Sequence, residues 1–169
     1  FAAAKMARLE SNLGITSTYF LMWRSPLYNL MGRESQKFVE EIINLGHSLG
    51  LHYDQGFDEL GKKSKKFSVK CISQQSRWIE EIYNCKIQAV SFHQPSKKLI
   101  KSRLDCGQKI NTYDFKKLAN FKYISDSNRN FPLWNNNSFI KKVDFEAISR
   151  CFPQNLHILF HPMWWIYDE

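Results

Sequence analysis

Five short runs rich in β-branched, aromatic and aliphatic residues are separated along this chain by stretches with helical spacing, and that alternation limits the fold more than any other feature. The runs are residues 16–22 (TSTYFLM), 48–53 (SLGLHY), 88–92 (QAVSF), 121–125 (FKYIS) and 156–160 (LHILF). Each is short, apolar and bounded by turn residues, which predicts a strand. Between them, residues 1–13 carry Met6, Leu9 and Leu13 on one stripe, 34–45 carry Phe38, Ile42 and Leu45, and 68–83 carry Ile72, Trp78 and Ile82. Gly14 and Gly46 stop the first two helices. Shorter helices are predicted over 113–119 and 144–151, the latter capped by Asp144. Residues 54–66 read as a polar loop with lysine-rich helical potential, 128–138 read as a long loop, and 96–111 are hard to assign, with Leu99, Ile100 and Leu104 as their strong apolar points.

Strands alternating with helices predict a parallel sheet with helical crossovers, hence the α/β class. The dinucleotide fingerprint G-x-G-x-x-G is absent. That favours a distorted or incomplete β/α barrel over a doubly wound sheet. No internal repeat or linker divides the chain, so residues 1–169 are expected to form one domain. Phe1 already lies inside a predicted helix, and a first element is expected upstream of it.

The formal charge of +8 is spread over short lysine clusters at 62–66, 97–101, 116–117 and 141–142, which read as solvated faces. No nucleic-acid motif accompanies them, so nucleic acid is not an expected partner. Cys71, Cys85, Cys106 and Cys151 stand singly, without a C-x-x-C pair. This argues against a structural zinc ribbon and for free thiols in a reducing, cytoplasmic compartment. No apolar run reaches the ~20 residues of a membrane helix, so no integral membrane segment is expected.

The polar residues that follow the strands carry the functional signal. His52 ends the second run, His93 follows AVSF, Asp126 follows YIS and His161 follows HILF. In parallel α/β folds the carboxyl ends of the strands share one edge, where active sites form. His47, at a helix-to-strand joint, reads as structural, and His157 as a core group or a support to the site. Neutral imidazoles with a carboxylate suit a divalent metal such as zinc, a hydrolytic tool, and a histidine outside the coordination sphere can serve as general acid. The letters G-x-S-x-G occur at 46–50 (GHSLG), but there Ser48 opens a strand after a helix, the reverse of the strand-to-helix turn of a nucleophile elbow, and no cysteine stands at a strand end, which disfavours a side-chain nucleophile.

LE-x3-GITSTYFL at 9–21, LGHSLGLH at 45–52, SFHQPS at 91–96, YISDSNRNF at 123–131 and LHILFHP at 156–162 together resemble, in order and spacing, the motifs of the NodB-homology polysaccharide deacetylases. Those proteins are metal-dependent carbohydrate esterases on a distorted β/α barrel, and the likeness is to a divergent bacterial subgroup associated with surface glycans. The resemblance implies removal of an N-acetyl group from an amino sugar of a polysaccharide or glycan precursor. It implies metal ligation by His52, with His93 standing where the family has arginine and taking the place of a missing second histidine. It also implies catalytic roles for His161, as proton donor to the leaving group, and for Asp126. Asp54, Phe131, Trp134 and Trp164 are the implied substrate-binding residues; their aromatic rings either stack on sugars or pack as core or lid. Two departures stand out: Gly56 occupies the position of the family's second metal histidine, and the acidic pair of its first motif would lie before Phe1. The fragment alone is therefore not expected to assemble a full site. The rival readings are a glycan-binding homologue that has lost turnover, and an O-acetyl esterase or other amidohydrolase on the same fold.

Overall fold

Four parallel strands, β1 (Thr18–Leu21), β2 (Ser48–Tyr53), β3 (Ile87–Phe92) and β4 (Ile110–Asn111), form a sheet whose spatial order follows the chain without reversal. The computed structural model describes residues 2–58, 64–126, 134–135, 138–139 and 155–165. It divides into two compact units, Phe1–Phe115 and Lys116–Glu169. The first unit also holds α1 (Ala2–Asn12), α2 (Arg33–Asn44), α3 (Gln55–Asp58), α4 (Lys65–Tyr83) and α5 (Lys97–Ser102). The α/β class and the parallel pairing therefore stand.

Register explains the burial pattern. Gly50 pairs with Ala89, Leu51 with Val90, His52 with Ser91 and Tyr53 with Phe92. Alternation then puts Gly50, His52, Ala89 and Ser91 on one face and Leu51, Tyr53, Val90 and Phe92 on the other. The second face is the core: Leu51, Tyr53 and Val90 are fully buried, and α4 covers β2 and β3 with Ile72 and Ile79 buried. The first face is built from small residues for a reason. A Cβ added at Gly50 would stand 2.5 Å from Cε1 of Phe20 and 3.1 Å from the carbonyl of Ala89.

Helix α1 corrects its expected stripe. Ala4 and Ala7 are its buried residues, while Leu9 and Leu13 are 54% and 67% exposed. Small side chains let the α1 backbone approach closely enough for a histidine to clasp it. His47 donates from Nε2 to the carbonyl of Ala7 (2.9 Å), and its Nδ1 accepts from the Ser17 N–H (3.1 Å). That pairing fixes a neutral ring that ties α1, β1 and the α2–β2 joint together, the structural role expected. Gly46, at φ +87, supplies the left-handed residue that ends α2.

The predicted boundaries shift where polar side chains compete with the backbone. Ser64 accepts the Phe67 N–H (3.2 Å), so α4 starts at Lys65 within the expected loop, which also contains α3. The unassigned 96–111 region contains α5, capped by Ser96, and β4. The helix predicted over 113–119 does not form. Asn111 takes the Tyr113 N–H on its side chain (2.9 Å) and the Asp114 N–H on its carbonyl (3.0 Å), setting a turn instead.

In the second unit β5 (Lys122–Ser125), β6 (Trp134–Asn135), β7 (Ser138–Phe139) and β8 (Leu156–Leu159) are followed by a 3-10 turn at Pro162–Trp164. β5 and β8 pair in parallel, and β6 and β7 form a short antiparallel ladder within the expected 128–138 loop and just beyond it. The helix predicted over 144–151 lies outside the described residues.

Two predictions follow from packing. Gly50→Ala drives a methyl into the Phe20 ring and lowers stability by about 1–3 kcal/mol in denaturant melts, with Phe20→Leu partly restoring it. His157, edge-on to Tyr123 with ring centroids 5.0 Å apart, is held below the ordinary imidazole range by burial. The unfolded chain therefore takes up the proton first as pH falls, so stability is lost as pH drops below about 6.5. Thermal melts at pH 7.5 and 5.5 should show a smaller drop for His157→Phe than for the wild type.

Candidate functional site

The candidate residues form two groups, one in each unit. In the first, the parallel β2–β3 ladder places His52 beside Ser91, and the His93 N–H extends the pairing by donating to the Tyr53 carbonyl (2.8 Å). The two imidazoles consequently meet edge to face, with ring centroids 5.4 Å apart and planes at 80°. The next residue, Gln94, has φ +41, a left-handed conformation that turns the chain sharply towards Pro95 and the Ser96 cap. A concavity of about 370 Å³ is lined by Asp54, Gly56, His93 and Gln94. Gly56 faces Asp54 so closely that a Cβ there would lie 3.3 Å from Asp54 Oδ1.

The fit of this group to a divalent metal can be judged from its geometry. Two imidazoles sharing a zinc ion at ~2.0–2.1 Å have ring centres roughly 5 Å apart in a tetrahedral arrangement. The 5.4 Å separation of His52 and His93 is near that spacing and is also that of an ordinary edge-to-face ring contact. Among the described residues, no three His, Cys, Asp or Glu side chains converge as a ligand set. The structure thus brings together His52 with His93, and His93 with Asp54.

The second group follows from the β5–β8 pairing. Ser125 is in register with Leu159, so the residues that follow them, Asp126 and the Phe160–His161 pair, leave the same sheet end. The Asp126 side chain is fully buried and takes three donors. Oδ1 bonds His161 Nδ1 (2.7 Å), while Oδ2 accepts the His161 backbone N–H (2.6 Å) and the Trp165 indole N–H (3.0 Å). A carboxylate with three donors is held as an acceptor, which keeps the proton on Nδ1 and leaves Nε2 as the basic nitrogen of His161. The His161 side chain is 37% exposed, and the Trp164 ring lies over it with centroids 4.4 Å apart.

Of the residues expected to bind substrate, Asp54 lines the concavity and Trp164 packs on His161. Phe131 and the side chain of Trp134, whose backbone is in β6, lie outside the described residues. Two contributors do what the sequence did not announce: Trp165, an aromatic expected at this edge to stack on sugar or to pack, is a hydrogen-bond donor, and Gln94 was not expected at the site. Trp165 holds Asp126, and the signal was available in the HPMWW run, which offers an indole donor four residues after His161. Gln94 lines the concavity through a backbone conformation that its residue type does not announce.

Nitrogen-15 NMR of His161 tests the tautomer. Above the imidazole titration Nδ1 should carry the proton and Nε2 should not. Asp126→Ala should mix the tautomers and, by leaving three donors without their acceptor, cost roughly 3 kcal/mol. A wild-type ring protonated on Nε2 would contradict the assignment. No protein-family model and no curated protein matches this chain.

Proposed function

We propose that the chain is a divergent polysaccharide deacetylase of the NodB-homology kind, built on a distorted or incomplete β/α barrel, that hydrolyses the N-acetyl group of an amino sugar with a divalent metal. The observation that carries this reading is the Asp126–His161 pair at the ends of adjacent parallel strands. Nε2 of His161 takes up the proton that the attacking water loses and passes it to the departing amine, which needs a defined tautomer, a fixed ring and access to substrate. Asp126 supplies the first two by accepting both the Nδ1–H and the backbone N–H of His161, and partial exposure supplies the third. Trp165 keeps the carboxylate in place from its other side.

His52 and His93 are the residues that would hold the metal. A bound divalent ion, zinc for preference, supplies Lewis acidity towards an amide carbonyl and acidifies water. Asp54, on the wall shared with His93, orients substrate or accepts its hydroxyl protons. Trp164 offers the exposed apolar surface on which a sugar face stacks while it holds the His161 ring.

Gly56 favours a second reading, a glycan-binding homologue without turnover, because the family's second metal histidine is missing there, at a place where even a Cβ would stand 3.3 Å from Asp54 Oδ1. Zinc titration separates the two. The enzyme reading predicts that His52→Ala and His93→Ala each weaken zinc binding at least tenfold. It also predicts that Gly56→His tightens binding, and that in the full-length protein His161→Gln abolishes acetate release from N-acetylglucosamine oligomers while leaving zinc affinity unchanged. Zinc affinity indifferent to both histidines, with no acetate released, would sink it.

A further inference from the structure

Most of the chain's excess charge falls on one stretch. Residues 64–103 contain nine Lys and Arg but two Glu, within a chain of formal charge +8. Both glutamates sit near the carboxyl end of α4 and are engaged there. Glu81 pairs with Arg77 (3.5 Å), and Glu80 meets Lys109 (3.6 Å) and the Ile87 N–H (3.0 Å). At the other end of α4, Lys65 and Lys66 are exposed, as are Lys97, Lys98, Lys101 and Arg103 along and just after α5. Among the described residues none of these six has an acidic partner. Lys65 donates from Nζ to the Ser102 carbonyl (3.1 Å), which joins the two groups into one surface. The six residues of α5 span only about 9 Å, so the charges are closely spaced.

Lys101 lies in the last turn of α5, where a cation suits the helix dipole, but helix stability does not account for Lys65, Lys66, Lys97 and Lys98. In the first turns of α4 and α5 they oppose the helix dipole, and neither first turn has an acidic residue. Crowding them costs further repulsion, so an anionic partner is the natural complement. Their position is informative too. α4 is the crossover that leaves the carboxyl edge of the sheet after β2, and α5 begins four residues after His93 on β3's exit. The cations therefore flank the edge that carries Asp54, His93 and the concavity. Of the apolar residues within the cluster, Leu99 is buried and Phe67 half-buried, so the surface offers charge without exposed aromatic faces for base stacking.

We propose that this surface receives an anionic glycan, whose carboxylate or phosphate groups lie along α5 and the start of α4 while a sugar unit enters the concavity at His93. The inference rests on the glycan reading above and gives it a substrate class. The direct test is titration of the zinc-free protein with polygalacturonate in 50 mM NaCl, with neutral dextran, duplex DNA and anionic phosphatidylglycerol vesicles as comparisons. Polygalacturonate should bind and dextran should not. Lys97→Gln/Lys98→Gln/Lys101→Gln should weaken binding at least tenfold, and Lys65→Gln/Lys66→Gln at least threefold. Both variants should keep the wild-type thermal midpoint, since the replaced side chains are exposed. Polygalacturonate binding no tighter than dextran, or unchanged in both variants, overturns the proposal. So does equal or tighter binding to DNA or to the vesicles, which would make the surface a docking site for another class of partner. Because the readout needs neither zinc nor acetate release, glycan binding that persists in a protein without hydrolysis overturns the deacetylase reading alone.

Discussion

Parallel pairing forces the carboxyl ends of neighbouring strands to lie side by side, and both candidate groups depend on that constraint. Where β2 and β3 end together, His52 and His93 meet; where β5 and β8 end together, Asp126 meets His161. Backbone hydrogen bonds set both meetings, because the His93 N–H caps the Tyr53 carbonyl and the His161 N–H binds the Asp126 carboxylate. The side chains are thus positioned by the ladder before any packing of their own. A one-residue slip of register would carry His52 or His157 to the opposite face, which explains why the small-residue stack of Gly50, Ala89 and Ser91 beneath the imidazoles matters.

The two groups are supported differently. Asp126 is buried with three donors on its carboxylate, so His161 is locked in orientation and tautomer at the cost of desolvating a carboxylate. His52 and His93 meet as rings, and His93 alone of the two lines the concavity with Asp54, Gly56 and Gln94. One group orders a proton; the other brings two imidazoles edge to face.

Strand existence and strand-end chemistry were legible in the sequence because alternation and burial act locally. SLGLHY and QAVSF could form little but buried strands, and their last residues had to reach the sheet edge. Helix faces were less legible. The apolar stripe of α1 pointed to Leu9 and Leu13, yet Ala4 and Ala7 are buried, because His47 requires a close backbone approach that large side chains would block. The turn at Asn111 was missed since its side chain, also tied to the Leu104 carbonyl (2.9 Å), outcompetes the helix that the following residues favour. Trp165 was hidden for a tertiary reason: only the fold shows which buried acceptor its indole serves.

The claim on which the functional account turns is that His52 and His93 form one metal-binding pair. Zinc-edge anomalous diffraction from crystals soaked in zinc tests it without reference to activity. The account predicts a single strong peak between the two rings, ~2.0–2.1 Å from one nitrogen of each. A peak bound elsewhere, or none at the 5.4 Å pair, would contradict it.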